Sequence, residues 1–340
     1  MKFEQKYPTA LSNERFEFEY SYVTKSPKLG QCRWCSSFTK WIDVLFQVHV
    51  CSEECNAEMW HRYRNDQKLN GTYKNFEDHF EQVKKELKLG DETTDDWKDI
   101  LIVVRDQLDY IKDCVDSIQK YTKNYHLFIW DNASGKETQD YIQNLLLKYD
   151  PNKDKHYKLT TIRREKNVGF VVPNNEMIAL GESPYVVLLN SDTKVFENWD
   201  NTMIAFLKNN PEYAQVGYWG GHLNADGRGF GGANGERVDY IPGWCFCIPR
   251  ETYDQFGLFD EHLKFAYCED SDFSLRLKEG GKKIYSLYAP LVHHYQNKTV
   301  KQVEKEGELD LQATFDHNHS YFKNRWKEYL SKNRVLLDQK

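Results

Sequence analysis

The sequence lacks the features that would tie it to a membrane, to nucleic acid through bulk charge, or to a dinucleotide. No apolar run approaches the roughly 20 residues that a spanning helix needs. The first residues, Lys2, Glu4 and Lys6 among them, hold no apolar signal segment, so no membrane association is expected and the expected compartment is the cytoplasm. Positive charge is not in excess: 46 Lys and Arg against 52 Asp and Glu leave a net -6. An electrostatic grip on nucleic acid would therefore have to be local. No GxGxxG follows the first apolar strand of the central region, which disfavours a classical dinucleotide fold. What remains is a globular chain of 340 residues, 40% hydrophobic, long enough for two or three domains.

Half of the eight cysteines fall in one window. Cys32 and Cys35, then Cys51 and Cys55, form a CxxC and a CxxxC separated by fifteen residues. In a chain with no expected secretion signal, that spacing reads as one tetrahedral, structural zinc site. His49 is an alternative ligand. Residues 41–50 read as a hairpin strand between the pairs, and 52–64 as a short helix. The window resembles small treble-clef-like or ribbon zinc modules, many of which bind nucleic acid or protein. Residues 1–30 show no clear period. Phe76, Phe80, Val83 and Leu87 form an apolar stripe at helical spacing, and 90–96 form a polar, acidic linker.

From Ile100 onward short apolar runs alternate with amphipathic helical patterns, the signature of βαβ units and a parallel sheet. Strands are expected at 100–104, 127–130, 159–162 and 186–189. Helices are expected with Ile111, Cys114, Val115 and Ile118 on one face, over 137–148, and near 175–180. Polar residues close three of these strands: Arg105 and Asp106, Asp131 and Asn132, Asn190 to Asp192. In open α/β sheets that edge is where ligands bind. Asp192, delivered there by Val186-Val187-Leu188-Leu189, is a candidate metal ligand; the plain alternative is an Asx-type turn.

The second half reads differently. Residues 220–235 are glycine-rich, consistent with a hairpin or mobile loop, and Gly243-Trp244-Cys245-Phe246 has the character of a strand lining a pocket. Glu269-Asp270-Ser271-Asp272 opens a helix; acidic residues there are also simply favoured by the helix dipole. His293-His294 ends a later apolar run. After Thr299 the chain is charged and helical, with Phe315, Tyr321, Phe322, Trp326, Tyr329 and Leu330 expected to pack as a cap on the preceding domain.

Taken in order, these pieces resemble the GT-A glycosyltransferases of family 2. Asp131-Asn132-Ala133-Ser134 resembles that family's DNAS motif, Asn167-Val168-Gly169-Phe170 its NxGF loop, and Leu189-Asn190-Ser191-Asp192 its variant of DxD. Phe259-Asp260-Glu261 resembles its FDE turn, and Glu269-Asp270-Ser271-Asp272-Phe273 with Arg276 its ED-x-D helix. The resemblance implies a Rossmann-like α/β fold, a mixed, mostly parallel sheet flanked by helices. It also implies an inverting transfer from a nucleotide-diphosphate sugar, a UDP-sugar being favoured. The diphosphate calls for Mn2+ or Mg2+, with Asp192 as ligand and His294, or else His293, completing the shell. Asn190 stands where a DxD has its first acid.

By the same resemblance Val104, Arg105, Asp131, Asn132, Asn167, Gly169, Asn190 and Ser191 would bind the donor. Asp270 would be the general base, with Glu269 sharing that role or orienting the acceptor, while Asp272 supports the helix. Trp244 would stack on a sugar or base ring, or else be a buried core tryptophan. The expected organisation is a zinc module with helical connector over 1–96, a GT-A domain over 97–299 and a helical extension over 300–340. The acceptor is left open among a glycan, a protein, a small molecule and a hydroxylated base in DNA presented by the zinc module. A non-catalytic binding protein with an inert GT-A domain is the rival from another class.

Overall fold

The computed structural model of the chain describes residues 2, 5, 15–17, 22–31, 38–43, 48–49, 52, 95–224, 226–287, 291–295, 307 and 310–337. Its contacts divide the chain into two units, Met1–Glu86 and Leu87–Lys340. Cys32, Cys35, Cys51 and Cys55 lie outside the described residues, as do the side chain of His49, most of the helix expected over 52–64, the 76–87 stripe and most of the 90–96 linker.

The first unit holds an antiparallel sheet in the order β1 (Arg15–Glu17), β2 (Tyr22–Gln31), β3 (Phe38–Asp43), β4 (Val48–His49). The β3–β4 pair corresponds to the hairpin expected near 41–50. Strands β1 and β2 fall where no period was expected. The reason is local: β2 shifts register between Lys25 and Gly30, around Pro27, which has no N–H to give to a ladder.

The second unit is built on a seven-stranded sheet in the order β14 (Lys283–Leu287), β10 (Tyr213–Tyr218), β13 (Cys245–Pro249), β8 (Tyr185–Leu189), β5 (Lys98–Val104), β6 (Tyr125–Asn132), β7 (Tyr157–Arg164). All neighbours pair in parallel except β13, which runs against both β8 and β10. Val186, Val187, Leu188 and Leu189 are buried, as a four-residue apolar run in a central strand must be.

Helices cover the sheet. In α1 (Leu108–Tyr121) the buried residues include Ile111, Cys114, Val115 and Ile118, the face expected from their spacing. Helix α2 (Lys136–Lys148) follows β6, and α3 (Val171–Leu180) starts one turn earlier than expected. Pro173 sits in that first turn, where its missing N–H costs nothing. Helices α4 (Trp199–Asn209) and α5 (Arg250–Phe256) flank β10 and β13, and α6 (Glu269–Glu279) precedes β14. The glycine-rich segment forms a hairpin, β11 (Gly220–Leu223) with β12 (Gly229–Ala233). A short ribbon, β9 (Thr193–Val195) with β15 (Val292–His294), was not anticipated.

Helix α7 (Leu311–Leu337) is the expected cap. Its Phe322, Trp326 and Leu330 pack with Leu223 and Leu275, and Trp326 Nε1 donates to Asp272 Oδ1 at 2.8 Å. Side chains of this kind stabilise by about 1.5–3 kcal/mol each when fully buried.

The direction of β13 determines which residues meet at the carboxyl edge of the sheet. Because the strand is reversed, its beginning meets the end of β8, with Cys245 opposite Leu189. Residues just before β13 therefore share that edge with residues just after β5, β6 and β8.

Candidate active site

The end of β8 turns sharply. Asn190 N–H donates to Trp244 O at 2.8 Å, and Thr193 Oγ1 donates to Asn190 O at 2.7 Å, so the backbone of Asn190 is fixed between two strands. Ser191 and Asp192 are buried behind that turn. The β9–β15 ribbon then pairs Thr193 with His294 and brings His294 Nε2 to 3.2 Å from Asp192 Oδ1.

Alternation along β15 separates the two histidines. His294 faces Asp192. His293 is exposed, its ring edge-on to Tyr295 at 4.7 Å. A carboxylate oxygen beside an imidazole nitrogen suits a divalent cation with mixed oxygen and nitrogen ligands. Among the described residues no group of three or more His, Cys, Asp and Glu gathers into a metal site. A cation between Asp192 and His294 would thus have most of its coordination sphere left for other ligands.

Gly243 and Trp244 link this pair to the start of α6. The indole of Trp244 stacks on His294, with centroids 4.9 Å apart and planes at 13°, and lies 6.4 Å from the Tyr218 ring. One residue earlier, Gly243 N–H donates to Asp270 Oδ2 at 3.0 Å. Asp270 also accepts from Ser271 N–H at 2.6 Å. Glu269, beside it, is 7% exposed, and its Oε2 is buried with no hydrogen-bond partner among the described residues.

Burial, and then the charge of Asp270, push the Glu269 carboxyl up to about 8. Burial raises Asp270 as well, opposed by the hydrogen bonds from Gly243 and Ser271. Tyr240 and Cys268, which border the pair, are both raised by burial and then by its charge. Two adjacent buried carboxyls, both raised by burial, are the arrangement of an acid–base site.

The loops after β5 and β6 interlock. Arg105 donates to Ala133 O and lies 3.3 Å from Asp106 Oδ2. Asp106 N–H donates to Ser134 Oγ at 3.0 Å, and Gly135 N–H to Asp106 Oδ1 at 2.6 Å. Asp106, Gln107 and Ala133 are left-handed, with φ of 50°, 61° and 65°. Such positions cost about 1–3 kcal/mol each and concentrate at functional sites. Val104 ends β5 fully buried, which leaves backbone beyond it to line a slot.

Asp131 accepts from Ser134 N–H at 2.8 Å and from Arg163. Asn132 donates to Asn167 Oδ1 at 2.6 Å and to Gly169 O at 2.9 Å, and accepts from Val168 N–H. These polar side chains thus shape the loops they stand in. Gly169 has φ +83°, and a Cβ there would lie 2.4 Å from Phe265 Cα, so glycine is required.

The structure therefore joins Asp192, His294, Trp244, Asp270 and Glu269 through one run of contacts. Asp272 stands apart from them, fully buried and paired with Arg276 Nε at 2.9 Å as well as with Trp326. Asp260 ties the turn that contains it to α7, accepting from Tyr321 at 2.8 Å and Arg325 at 2.6 Å. Burial alone would raise it, but the hydrogen bonds from His262 and Tyr321 hold it at about 2. The stack of Trp244 on His294 and the Arg163–Asp131 pair were not foreseen, because neither leaves a periodic or motif-level trace.

Comparison with known proteins bears on the stretch of chain that carries this site. The family model described as "Glycosyl transferase family 2" matches residues 99–234, and that described as "Glycosyltransferase like family 2" matches 230–307. No curated protein matches the chain in sequence. Among solved structures, GalNAc-T7 with UDP, GalNAc and Mn2+ is similar with a TM-score of 0.51 and 16% identity, over 63% of this chain and 48% of that one. A mannosyltransferase, PcManGT from Pyrobaculum calidifontis, in complex with GDP-Man and Mn2+, gives 0.46 and 12%, over 61% of each chain. The chain thus spans about half the length of the first and three fifths of the second. At these identities the likeness to GalNAc-T7 is one of fold, and the expected mixed, mostly parallel GT-A architecture is present.

Proposed function

We propose that this chain, whose residues 99–234 and 230–307 match two family 2 glycosyltransferase models, transfers a sugar from a nucleotide-diphosphate donor to an acceptor hydroxyl with inversion. The observation that carries the proposal is the run of contacts from Asp192 and His294, through Trp244 and Gly243, to Asp270 and Glu269. Asp192 and His294 are the residues that would hold Mn2+ or Mg2+, the donor's phosphates supplying further ligands. The cation, when bound, offsets the negative charge that builds on the leaving diphosphate.

The remaining work falls to side chains of this domain. Asp270, fixed by Gly243 and Ser271, takes the proton of the acceptor hydroxyl as that oxygen attacks from the face opposite the diphosphate. Glu269, raised to about 8, is protonated at neutral pH and offers its acid proton as a hydrogen bond to the acceptor. Trp244 keeps the His294 imidazole in one orientation, as outer partners of metal ligands do. The loops tied by Arg105, Asp131, Asn132 and Asn167 frame the nucleotide slot. A UDP-sugar is the favoured donor.

Nucleotide release from UDP-, GDP- and TDP-sugars, with and without Mn2+, tests this, alongside donor binding in the same samples. The expected result is slow hydrolysis of one donor that requires metal and disappears in Asp192→Ala. Absence of donor binding with metal present would sink the proposal and favour an inert domain serving as a binding protein.

A further inference from the structure

Resting on that reading of the site, we propose that Asn318 of α7 is a positioning residue, which sets where Glu269 and Asp270 point by holding the loop that delivers them. Asn318 is fully buried. Its Nδ2 donates to Lys264 O at 2.7 Å, Ala266 O at 2.8 Å and Tyr267 O at 3.2 Å, and its Oδ1 accepts from Lys264 N–H at 3.0 Å. One amide thus serves four backbone groups of the segment that ends where α6 begins.

That segment needs an outside partner. Phe265, Tyr267 and Cys268 are left-handed, with φ of 67°, 80° and 70°. Bulky residues hold that conformation only when their surroundings over-determine it. Left-handed backbone also takes carbonyls out of regular ladders, and buried carbonyls without donors are costly. Cys268 is the N-cap of α6 and makes no side-chain cap, so the direction of the first turn is inherited from the loop. On its other side the loop meets Gly169 at backbone contact, and Phe170 N–H donates to Phe265 O at 2.6 Å. Asn318 closes the loop from the α7 side.

Phe315 of α7 also reaches the loop, its ring edge-on to Tyr267 at 5.7 Å, while other side chains of the helix act elsewhere. Trp326 serves Asp272, and Tyr321 and Arg325 serve Asp260. Leu330 packs in the apolar cluster with Phe322 and Leu275. Leu330 takes no part in the four amide bonds and Asn318 no part in that cluster, although Cys268 packs against the cluster.

The experiment compares wild type, Asn318→Leu, Asn318→Ser and Leu330→Ala by two readouts. These are Mn2+-dependent donor hydrolysis and the 13C-carboxyl NMR titration of Glu269. With Asn318 changed, turnover is expected to fall about a hundred-fold, the cost of a misplacement near 1 Å, with donor KM unchanged. The Glu269 midpoint is expected to move from about 8 toward its ordinary 4.5 as water reaches the pair. Leu330→Ala is expected to lower Tm and to move both readouts less than either Asn318 variant does. A wild-type Glu269 titration in folded Asn318→Ser overturns the proposal, as does an equal turnover loss in Leu330→Ala. Failure of both Asn318 variants to fold while Leu330→Ala folds assigns Asn318 to stability alone and also overturns it. If wild type binds no donor with metal present, the transferase reading fails, and the titration still decides the role of Asn318.

Discussion

The two edges of the central sheet handle charge in opposite ways. At the amino edge, Lys98 Nζ lies 2.9 Å from Asp200 Oδ2 and both side chains are 1% exposed. Next to it Asp99, fully buried, accepts from Ser183 N–H at 3.1 Å, Ser183 Oγ at 2.6 Å and Arg250 at 2.5 Å. At the carboxyl edge Glu269 buries an oxygen with no partner among the described residues, and Asp270 is raised beside it. Backbone conformation divides in the same way. Near Lys98 the left-handed residues are Asn124 and Asn198, of a type that tolerates the conformation. At the other edge they are Asp106, Gln107, Ala133, Trp219, Phe265, Tyr267 and Cys268, most of which do not. The amino edge pairs its buried carboxylates with cations, leaving Asp200 Oδ1 without a partner among the described residues. The carboxyl edge instead sets two buried carboxyls side by side where a ligand would arrive.

Four substitutions put this contrast at risk. The largest expected effect is that of Asp270→Asn, which lowers turnover by about 10²–10⁴-fold, some 3–5 kcal/mol of transition-state stabilisation. Its unfolding midpoint in urea should match or exceed that of wild type, since a buried charge is removed. Arg250→Ala is the opposite case, expected to cost about 3–5 kcal/mol of stability by stranding the buried Asp99 carboxylate. Turnover per folded molecule should be preserved there; a specific loss would show that the amino edge also serves the chemistry.

Trp244→Leu should be milder, weakening Mn2+ about 10–100-fold, as expected when the partner orienting a ligand is lost. The measurement is Mn2+ titration of donor hydrolysis, and an unchanged midpoint would refute the orienting role. The smallest effect is one of slope. Glu269 keeps its proton in the folded state up to about 8 and loses it near 4.5 when unfolded. Wild-type stability should therefore fall as pH rises through that window, because the folded state binds more protons there. Glu269→Gln should lack this slope and become the more stable protein above pH 8, by at least about 1 kcal/mol in urea unfolding. Parallel pH profiles would show that Glu269 titrates normally.

Legibility in the sequence depended on the range of the signal. The strand 186–189 and the buried face of α1 could be read because burial imposes a local period or a short apolar run. Asp192, Glu269 and Asp270 were visible as strand-end and helix-start residues. His294 was preferred over His293 in the sequence, but the β9–β15 ribbon that sets it beside Asp192 was not visible, its three-residue strands being too short to show a period. Asn318 was invisible for a related reason. Its four bonds reach back more than fifty residues, and nothing in its own helix distinguishes it from a solvent-facing asparagine. The polar motif residues Asp131, Asn132 and Asn167 were expected to face the donor, yet each is bonded within its own loops. Nothing in a motif reveals that its side chains also brace the loops that carry it.

Asn318 also lies downstream of everything it holds. A ribosome makes Glu269 and Asp270 before it makes α7, so the growing chain passes through a stage at which the carboxyl pair exists without its clamp. The order of synthesis thus leaves the 264–267 loop to take its final shape last, after the sheet beneath it has already been made.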